Sequence, residues 1–328
     1  MPQLQSRNGV PFERAAVIGT GMMGPGIALT LALGGVPSTI LSRTPEGAGA
    51  GLAKARDRAR MLAETGLVET AAAERAASLV SAGANFDDAI RGASLVIESA
   101  PEDMPFKQRL FARMDALAPP DAVLASNTSG LSVTAIARDC ARPERVLTTH
   151  FWNPPHLMPL VEIVMGERTA PEAAEAVRTL LEGCGKTPVV VRKDRPGQLG
   201  NRLQMALARE AAYILAAGIA TAEDVDAVIK NALGIRMPAY GLLEHLDVTG
   251  LDLALSVAEY VGRDLYNEPR APAYFRDMVA RGDLGAKTGQ GFYNWSIKNA
   301  DQVRARRDAF LVEVLRYRRS LAEPKQGN

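Results

Sequence analysis

His150, Glu162 and the run Ser126-Asn127-Thr128-Ser129 are the residues of this chain best suited to moving a proton. His150 is one of only 3 histidines and stands in His150-Phe151-Trp152-Asn153-Pro154-Pro155; Glu162 follows in Leu160-Val161-Glu162-Ile163-Val164. Imidazole exchanges protons around neutral pH, and a carboxylate accepting from Nδ1–H would fix its tautomer so that Nε2 faces a substrate. Pro154, Pro155 and Pro159 lie between the two, as in a connection that turns one strand beside the next. A satisfied core pair is the plainer alternative, and the position of His150 between a serine motif and a carboxylate argues against it. Ser129 supplies a hydroxyl near a strand's C-terminal end, where open parallel sheets place ligands. A turn or capping serine is its alternative, because Ser132 and Thr134 stand close by. Asn201 offers an amide, or else the N-cap of a helix. His156 and His245 read as a loop histidine and a structural one.

A second constellation is Gly19-Thr20-Gly21-Met22-Met23-Gly24, which follows an apolar strand and opens a helix. In that context the first glycine permits a tight turn, the second lets a pyrophosphate reach the backbone, and the third lets helix and strand pack closely. The helix N-terminus then faces the phosphates. Ser42, Arg43 and Thr44 close the second strand, where an acidic residue would bind the adenosine ribose. With no carboxylate there, NADP is expected ahead of NAD. An Asp within about 4 Å of a 2′-phosphate would cost roughly 4 kcal/mol per charge pair, whereas Ser42 can hydrogen-bond the phosphate and Arg43 can pair with it. The alternative leaves Arg43 solvated and NAD bound without that anchor.

The elements that must position these groups alternate up to about Lys193. Ala15–Ile18, Ser38–Leu41, Leu95–Glu98, Ala122–Ala125, Val146–Thr149, Leu160–Val164 and Val189–Val191 read as buried strands. Gly24–Leu33, Pro105–Leu117 and Pro171–Glu182 read as helices between them. The pattern predicts an α/β fold, an N-terminal Rossmann-type, mostly parallel sheet with helices on both faces. Gly47 to Ala82 reads as an inserted helical hairpin. Its Gly47, Gly49 and Gly51 read as a flexible loop, and its Lys54, Arg56, Arg58 and Arg60 as a solvated face. Beyond Pro196-Gly197 strand signals vanish. Asn201–Ala217, Thr221–Leu233, Leu251–Val261 and Ala273–Arg281 read as helices, with Thr221 as an N-cap before Glu223 and Asp224. Residues 1–196 are therefore expected to bind the dinucleotide, and an all-α C-terminal domain, 197–328, to serve substrate and dimer formation. Ala300–Leu321 is amphipathic, suited to packing on a domain or a partner subunit.

At 328 residues, 47% hydrophobic and 23% charged, the chain can build two globular domains. A net charge of +1 gives no field that would favour nucleic acid or an anionic membrane surface. Residues 1–8 lack a signal peptide's apolar stretch, and no run has the 18 or so apolar residues of a spanning helix. The 2 cysteines, Cys140 and Cys184, show no metal or redox spacing and read as buried, inert thiols of a cytoplasmic protein.

Taken in order, these motifs resemble those of the L-3-hydroxyacyl-CoA dehydrogenase family, with its gulonate dehydrogenase (lambda-crystallin) and carnitine dehydrogenase relatives. The likeness runs from about Arg14 to Trp295. Beyond the motifs above it rests on Glu102 with Lys107, Asn201-Arg202-Leu203, and Lys287-Thr288-Gly289-Gln290-Gly291-Phe292-Tyr293. The resemblance implies hydride transfer between a small 3-hydroxyacyl substrate and NAD(P)(H), without a metal. It makes His150 the general acid/base and Glu162 its partner, with Ser129 and Asn201 on the reacting oxygen. Glu102, Lys107, Asn153 and Lys287 would lie along the cofactor. It also implies a homodimer, and CoA contacts on the helical insertion and in the domain cleft. Arg236 resembles an arginine of the crystallin-type relatives; it would pair with a free substrate carboxylate or form a structural ion pair. Substrates of two kinds fit: a CoA thioester, favoured on family grounds, or a free hydroxy acid. A non-catalytic, crystallin-like dinucleotide binder is the remaining alternative, opposed by the intact Ser129, His150, Glu162 and Asn201.

Overall fold

The computed structural model describes residues 12–322. Eight strands form one sheet: β1 (Ala15–Ile18), β2 (Ser38–Leu41), β3 (Val80–Gly83), β4 (Leu95–Glu98), β5 (Val123–Ser126), β6 (Val146–Phe151), β7 (Leu160–Met165) and β8 (Thr187–Val191). Their order is β3-β2-β1-β4-β5-β6-β7-β8. Every neighbouring pair is parallel except β6 and β7. Seven helices connect them: α1 (Gly24–Leu33), α2 (Pro45–Glu64), α3 (Thr70–Leu79), α4 (Phe86–Arg91), α5 (Met104–Leu117), α6 (Val133–Ile136) and α7 (Pro171–Gly183).

The strands alternate between two cores. Ala15 and Val17, with Leu95 and Ile97, face Ile27, Leu29 and Leu31 of α1 and Val177 of α7. Ala16 and Val96 face Ile90 of α4, Phe111 and Met114 of α5 and Ile136 of α6. Burial on both faces explains why these strands read as unbroken apolar runs; each buried aliphatic side chain contributes about 1.5–3 kcal/mol. Strand order reverses between β1 and β4, so the ligand crevice of such a sheet lies beyond their carboxyl ends. Aligned register puts Ile18, Glu98 and Ser126 level along that edge.

Two features depart from the sequence expectation. Strand β3, which ends the helical insertion, carries only one buried residue, Val80, and so gave little apolar signal. The segment with Gly47, Gly49 and Gly51 is helical, not a flexible loop. Thr44 accepts from Gly47 N at 3.1 Å as N-cap and Pro45 starts the first turn. A Cβ on Gly47 would lie 2.3 Å from Ser42 Oγ and one on Gly51 2.8 Å from Thr20 Cγ2. These glycines let α2 pack closely on the end of β2 and on the glycine loop.

The remaining elements are α8 (Gly200–Ala216), α9 (Ala222–Val228), a π-helical turn (Ile229–Leu233), α10 (Gly234–Arg236), α11 (Leu242–Thr249), α12 (Leu251–Val261), α13 (Ala273–Arg281) and α14 (Ala300–Ala322). Thr221 and Asp224 form a reciprocal capping box at α9. By contact the chain divides into two compact units, Leu203–Ala305 being the helical one. The segment from Arg306 onward groups with the sheet unit. There Val312 is buried in the main core beside Leu311 and Leu315. Arg316 donates to Thr65 O at 2.9 and 2.6 Å and Arg319 to Gly66 O at 3.2 Å and to Leu67 O. Guanidinium groups thus cap the carboxyl end of α2, where the helix dipole favours cations. No helix among the described residues is long and apolar enough to cross a membrane.

Candidate active site

The glycine loop joins β1 to α1. Gly19 has φ +113°, and a Cβ there would lie 2.4 Å from Ser99 O; one on Gly24 would lie 1.9 Å from Gly19 O. Those two glycines are required by the chain itself. A Cβ on Gly21 would meet nothing within 4 Å, so the second glycine leaves open space over the backbone. Met22 is 67% exposed, Met23 is the N-cap of α1, and no acidic side chain enters the first turn. An open backbone before an uncompensated helix N-terminus fits a dinucleotide pyrophosphate. Ser42, half-buried just past β2, accepts from Thr44 N at 3.4 Å, and Arg43 is exposed beside it.

Two cations read as a solvated face are engaged instead. Lys54 Nζ donates to Thr20 O at 3.2 Å and Arg58 Nη2 to Met22 O at 2.8 Å, one turn of α2 apart. They brace the loop from below because Gly51 brings α2 close to Thr20. Burial lowers the pKa of Arg58 from its ordinary value. Arg56 and Arg60 remain exposed, the latter paired with Asp57 at 3.3 Å. His156 lies in the same region; burial, with Arg58, Lys186 and Arg307 nearby, pushes it down to about 3, so its ring stays neutral.

His150 and Glu162 are direct cross-strand partners in the antiparallel β6–β7 pair. His150 Nδ1 lies 2.8 Å from Glu162 Oε2, and His150 is only 6% exposed. Oε2 also accepts from Trp152 Nε1 at 3.2 Å, while Oε1 accepts from Leu199 N at 2.9 Å and Gly200 N at 2.8 Å. Burial alone would raise the Glu162 pKa, but the bonds from His150, Gly200 and Leu199 outweigh it and hold the carboxyl below its ordinary range. An ionised Glu162 obliges Nδ1 to carry the proton, which leaves Nε2 as the basic nitrogen. Asn153 is exposed in the turn beyond β6.

A second carboxylate organises the serine motif. Glu102 Oε1 accepts from Ser129 N at 2.7 Å and Ser129 Oγ at 3.0 Å, and Oε2 accepts from Thr128 Oγ1 at 2.8 Å. Burial opposes ionisation there too; the Ser129 N–H, Thr128 and Lys107 more than offset it, and the pKa falls. Lys107 is 1% exposed and donates to Glu98 Oε1 at 2.6 Å, with Glu102 Oε2 3.8 Å away. Glu98 Oε2 accepts from Ser126 Oγ at 2.7 Å. Asn201, in the first turn of α8 rather than at its cap, donates from Nδ2 to Ser129 O at 2.6 Å. Ser132, not Ser129, is the capping serine, at α6.

His150, Glu162, Asn201, Ser129, Glu102 and Lys107 are thus linked, through Leu199 and Gly200, into one network. Sequence reasoning missed several of its supports. Glu98 was read only as the end of a strand, although a carboxylate closing an otherwise apolar parallel strand is itself a signal. Gln198 is buried with φ +55° and donates to Thr128 O at 2.8 Å, and Asp194 accepts from Ser132 Oγ at 2.6 Å. Both pin the segment before α8 to the serine motif. Arg236 and Lys287 belong to the helical unit, both exposed. Arg236 closes α10 and, among the described residues, forms no ion pair. Lys287 lies in a turn closed by Gly285 N donating to Gln290 O at 2.7 Å. His245 stacks on Tyr240 at 5.3 Å.

A doubly wound sheet with a dinucleotide loop and a His–Glu pair defines a nicotinamide-dependent oxidoreductase. Residues 14–195 match the family described as 3-hydroxyacyl-CoA dehydrogenase, NAD binding domain, and residues 197–295 match 3-hydroxyacyl-CoA dehydrogenase, C-terminal domain. The chain belongs to the 3-hydroxyacyl-CoA dehydrogenase family. It is 37% identical over 290 residues to a probable 3-hydroxybutyryl-CoA dehydrogenase of Bacillus subtilis, covering 88% of this chain and 99% of that one. It is 33% identical over 312 residues to 5-formyl-3-hydroxy-2-methylpyridine 4-carboxylate 5-dehydrogenase of Mesorhizobium japonicum, covering 93% and 98%. A crystal structure of a dehydrogenase of that latter kind, described as an NAD+ dependent dismutase, superposes with a TM-score of 0.85 at 32% identity, covering 93% of this chain and 98% of the other.

Proposed function

We propose that His150 is the acid/base by which this enzyme interconverts a 3-hydroxyacyl compound and its 3-oxo form. The 2.8 Å contact between His150 Nδ1 and Glu162 carries the reading. In oxidation Nε2 takes the hydroxyl proton, and in reduction it returns it; Glu162 holds the tautomer and stabilises the imidazolium. Ser129 and Asn201 hold the reacting oxygen. When bound, the nicotinamide dinucleotide supplies the hydride acceptor or donor. Gly19, Gly21, Met22, Met23 and Gly24 cradle its pyrophosphate; Glu102 and Asn153 line it, and the buried Lys107 acts through Glu98 and Glu102. For Lys287 the family resemblance alone supports a role toward the cofactor. NADP is favoured over NAD, on Ser42 and Arg43. His150→Ala should lower turnover by ~10²–10⁴-fold with dinucleotide affinity nearly intact; turnover at the wild-type rate refutes the role. Ser42→Asp should reduce NADP use and spare NAD.

For the substrate, a CoA thioester is the first reading, on family grounds. A free hydroxy acid is the second, supported by Lys54 and Arg58 being bound to loop carbonyls, by Arg236, which forms no ion pair among the described residues, and by the relative that acts on a pyridine carboxylate. Comparing acetoacetyl-CoA with free 3-oxo acids, each with NADH and NADPH, decides both questions. The helical segment forms a homodimer: among its described apolar residues only Ala212, Pro272 and Met278 are buried, while Leu243, Val248, Leu251 and Tyr260 are exposed. Light scattering showing a monomer at micromolar concentration refutes this. Both cysteines are free, and burial pushes each thiol up to about 12, which suits the reducing cytoplasm.

A further inference from the structure

We propose that Trp152 is a positioning residue for the acid/base pair: its indole N–H holds the Glu162 carboxylate in the orientation from which Oε2 meets His150 Nδ1. The inference rests on the His150–Glu162 reading above. Trp152 Nε1 lies 3.2 Å from Oε2, the oxygen that meets His150 at 2.8 Å. The indole and imidazole rings are 5.2 Å apart and inclined by 45°. Oε1 is held separately by two backbone N–H groups, of Leu199 and Gly200. Without the indole, the carboxylate would be free to swing about that backbone anchor, with the imidazole alone to oppose it.

Gly200 makes the arrangement possible. A Cβ at this position would lie 2.4 Å from Trp152 Cζ2, 3.2 Å from Glu162 Oε2 and 3.3 Å from Trp152 Cε2. The residue whose N–H fixes one carboxylate oxygen therefore also leaves the room in which the indole reaches the other. Trp152 shares the negative charge of Oε2 with His150, so removing its N–H leaves that charge to the imidazolium alone.

The test is the pH dependence of alcohol oxidation in Trp152→Phe, which keeps an aromatic ring and loses the donor. The acid limb of kcat/KM should move to higher pH by ~0.5–1 unit. Turnover should fall ~3–10-fold, with substrate KM and dinucleotide Kd within about twofold of wild type. Gly200→Ala, whose Cβ would crowd both the indole and Glu162 Oε2, should move the limb in the same direction. If Trp152→Phe does not fold, Trp152→Leu, which also lacks the donor, takes its place. A limb that superimposes on wild type in the Trp152 variant overturns the proposal. His150→Ala separates this failure from the parent one: wild-type turnover there removes both readings. An inactive His150→Ala beside an unshifted Trp152→Phe removes only the role of the indole.

Discussion

Replacing Glu162 by Gln puts the acid/base pair to its sharpest test, because the side chain keeps its shape and loses only charge and one acceptor. The carbonyl oxygen can still accept from Leu199 N and Gly200 N. The amide NH2 must then face His150 Nδ1 and Trp152 Nε1, both donors in the wild type. The imidazole can escape by switching tautomer, with Nδ1 accepting and the proton moving to Nε2. That nitrogen is then no longer a base. The indole has no such escape, and its unmade bond costs about 1–3 kcal/mol, or a Tm lower by ~1.5–4 °C for a chain of this size. Turnover should fall far more, ~10³–10⁴-fold, as when an amide replaces the carboxylate behind a catalytic histidine. The folded Glu162 pKa lies below its ordinary 4.5, so its stabilising effect is complete above that value and is lost as pH falls through the folded one. The Glu162→Gln substitution therefore flattens the acid side of the Tm-versus-pH curve. Steady-state kinetics, dinucleotide titration and thermal melts from pH 3 to 7 check this. Near-normal kcat, or a loss confined to dinucleotide affinity, would refute the reasoning.

Four other substitutions probe the scaffold. Arg58→Met removes the bond to Met22 O; dinucleotide Kd should rise ~3–10-fold with kcat at saturation little changed, read by fluorescence titration. Asp115→Asn strips the partner, at 2.7 Å, from the fully buried Arg145; breaking such a pair costs about 3–5 kcal/mol, so Tm should drop by ~4–7 °C, and a drop below about 2 °C would count against it. Gly21→Val should abolish dinucleotide binding with Tm unchanged, since its Cβ meets nothing. Gly24→Ala should lower Tm instead, since its Cβ would strike Gly19 O at 1.9 Å. Equal effects of the two substitutions on Tm would contradict the division of roles within the loop.

Strands β1, β2 and β4, and helices α1, α12 and α13, were readable to the residue, because a short apolar run or a helical period reports burial directly. So were the glycine fingerprint and the pairing of His150 with Glu162, whose chemistry is local to their motifs. Tertiary structure alone decided the rest. The helical state of the Gly47–Gly51 segment depends on Thr44 capping and on contact with Ser42 and Thr20, which composition does not report. Lys54 and Arg58 look like any solvated cations until α2 is laid against the glycine loop. Glu98 gains its buried lysine only when β4 and α5 pack together, and Trp152 reaches Glu162 only across the β6–β7 hairpin. Hydrophobic periodicity encodes which face a residue presents, whereas the partners of Glu98 and Trp152 are set by how whole elements pack against each other, which that periodicity does not report.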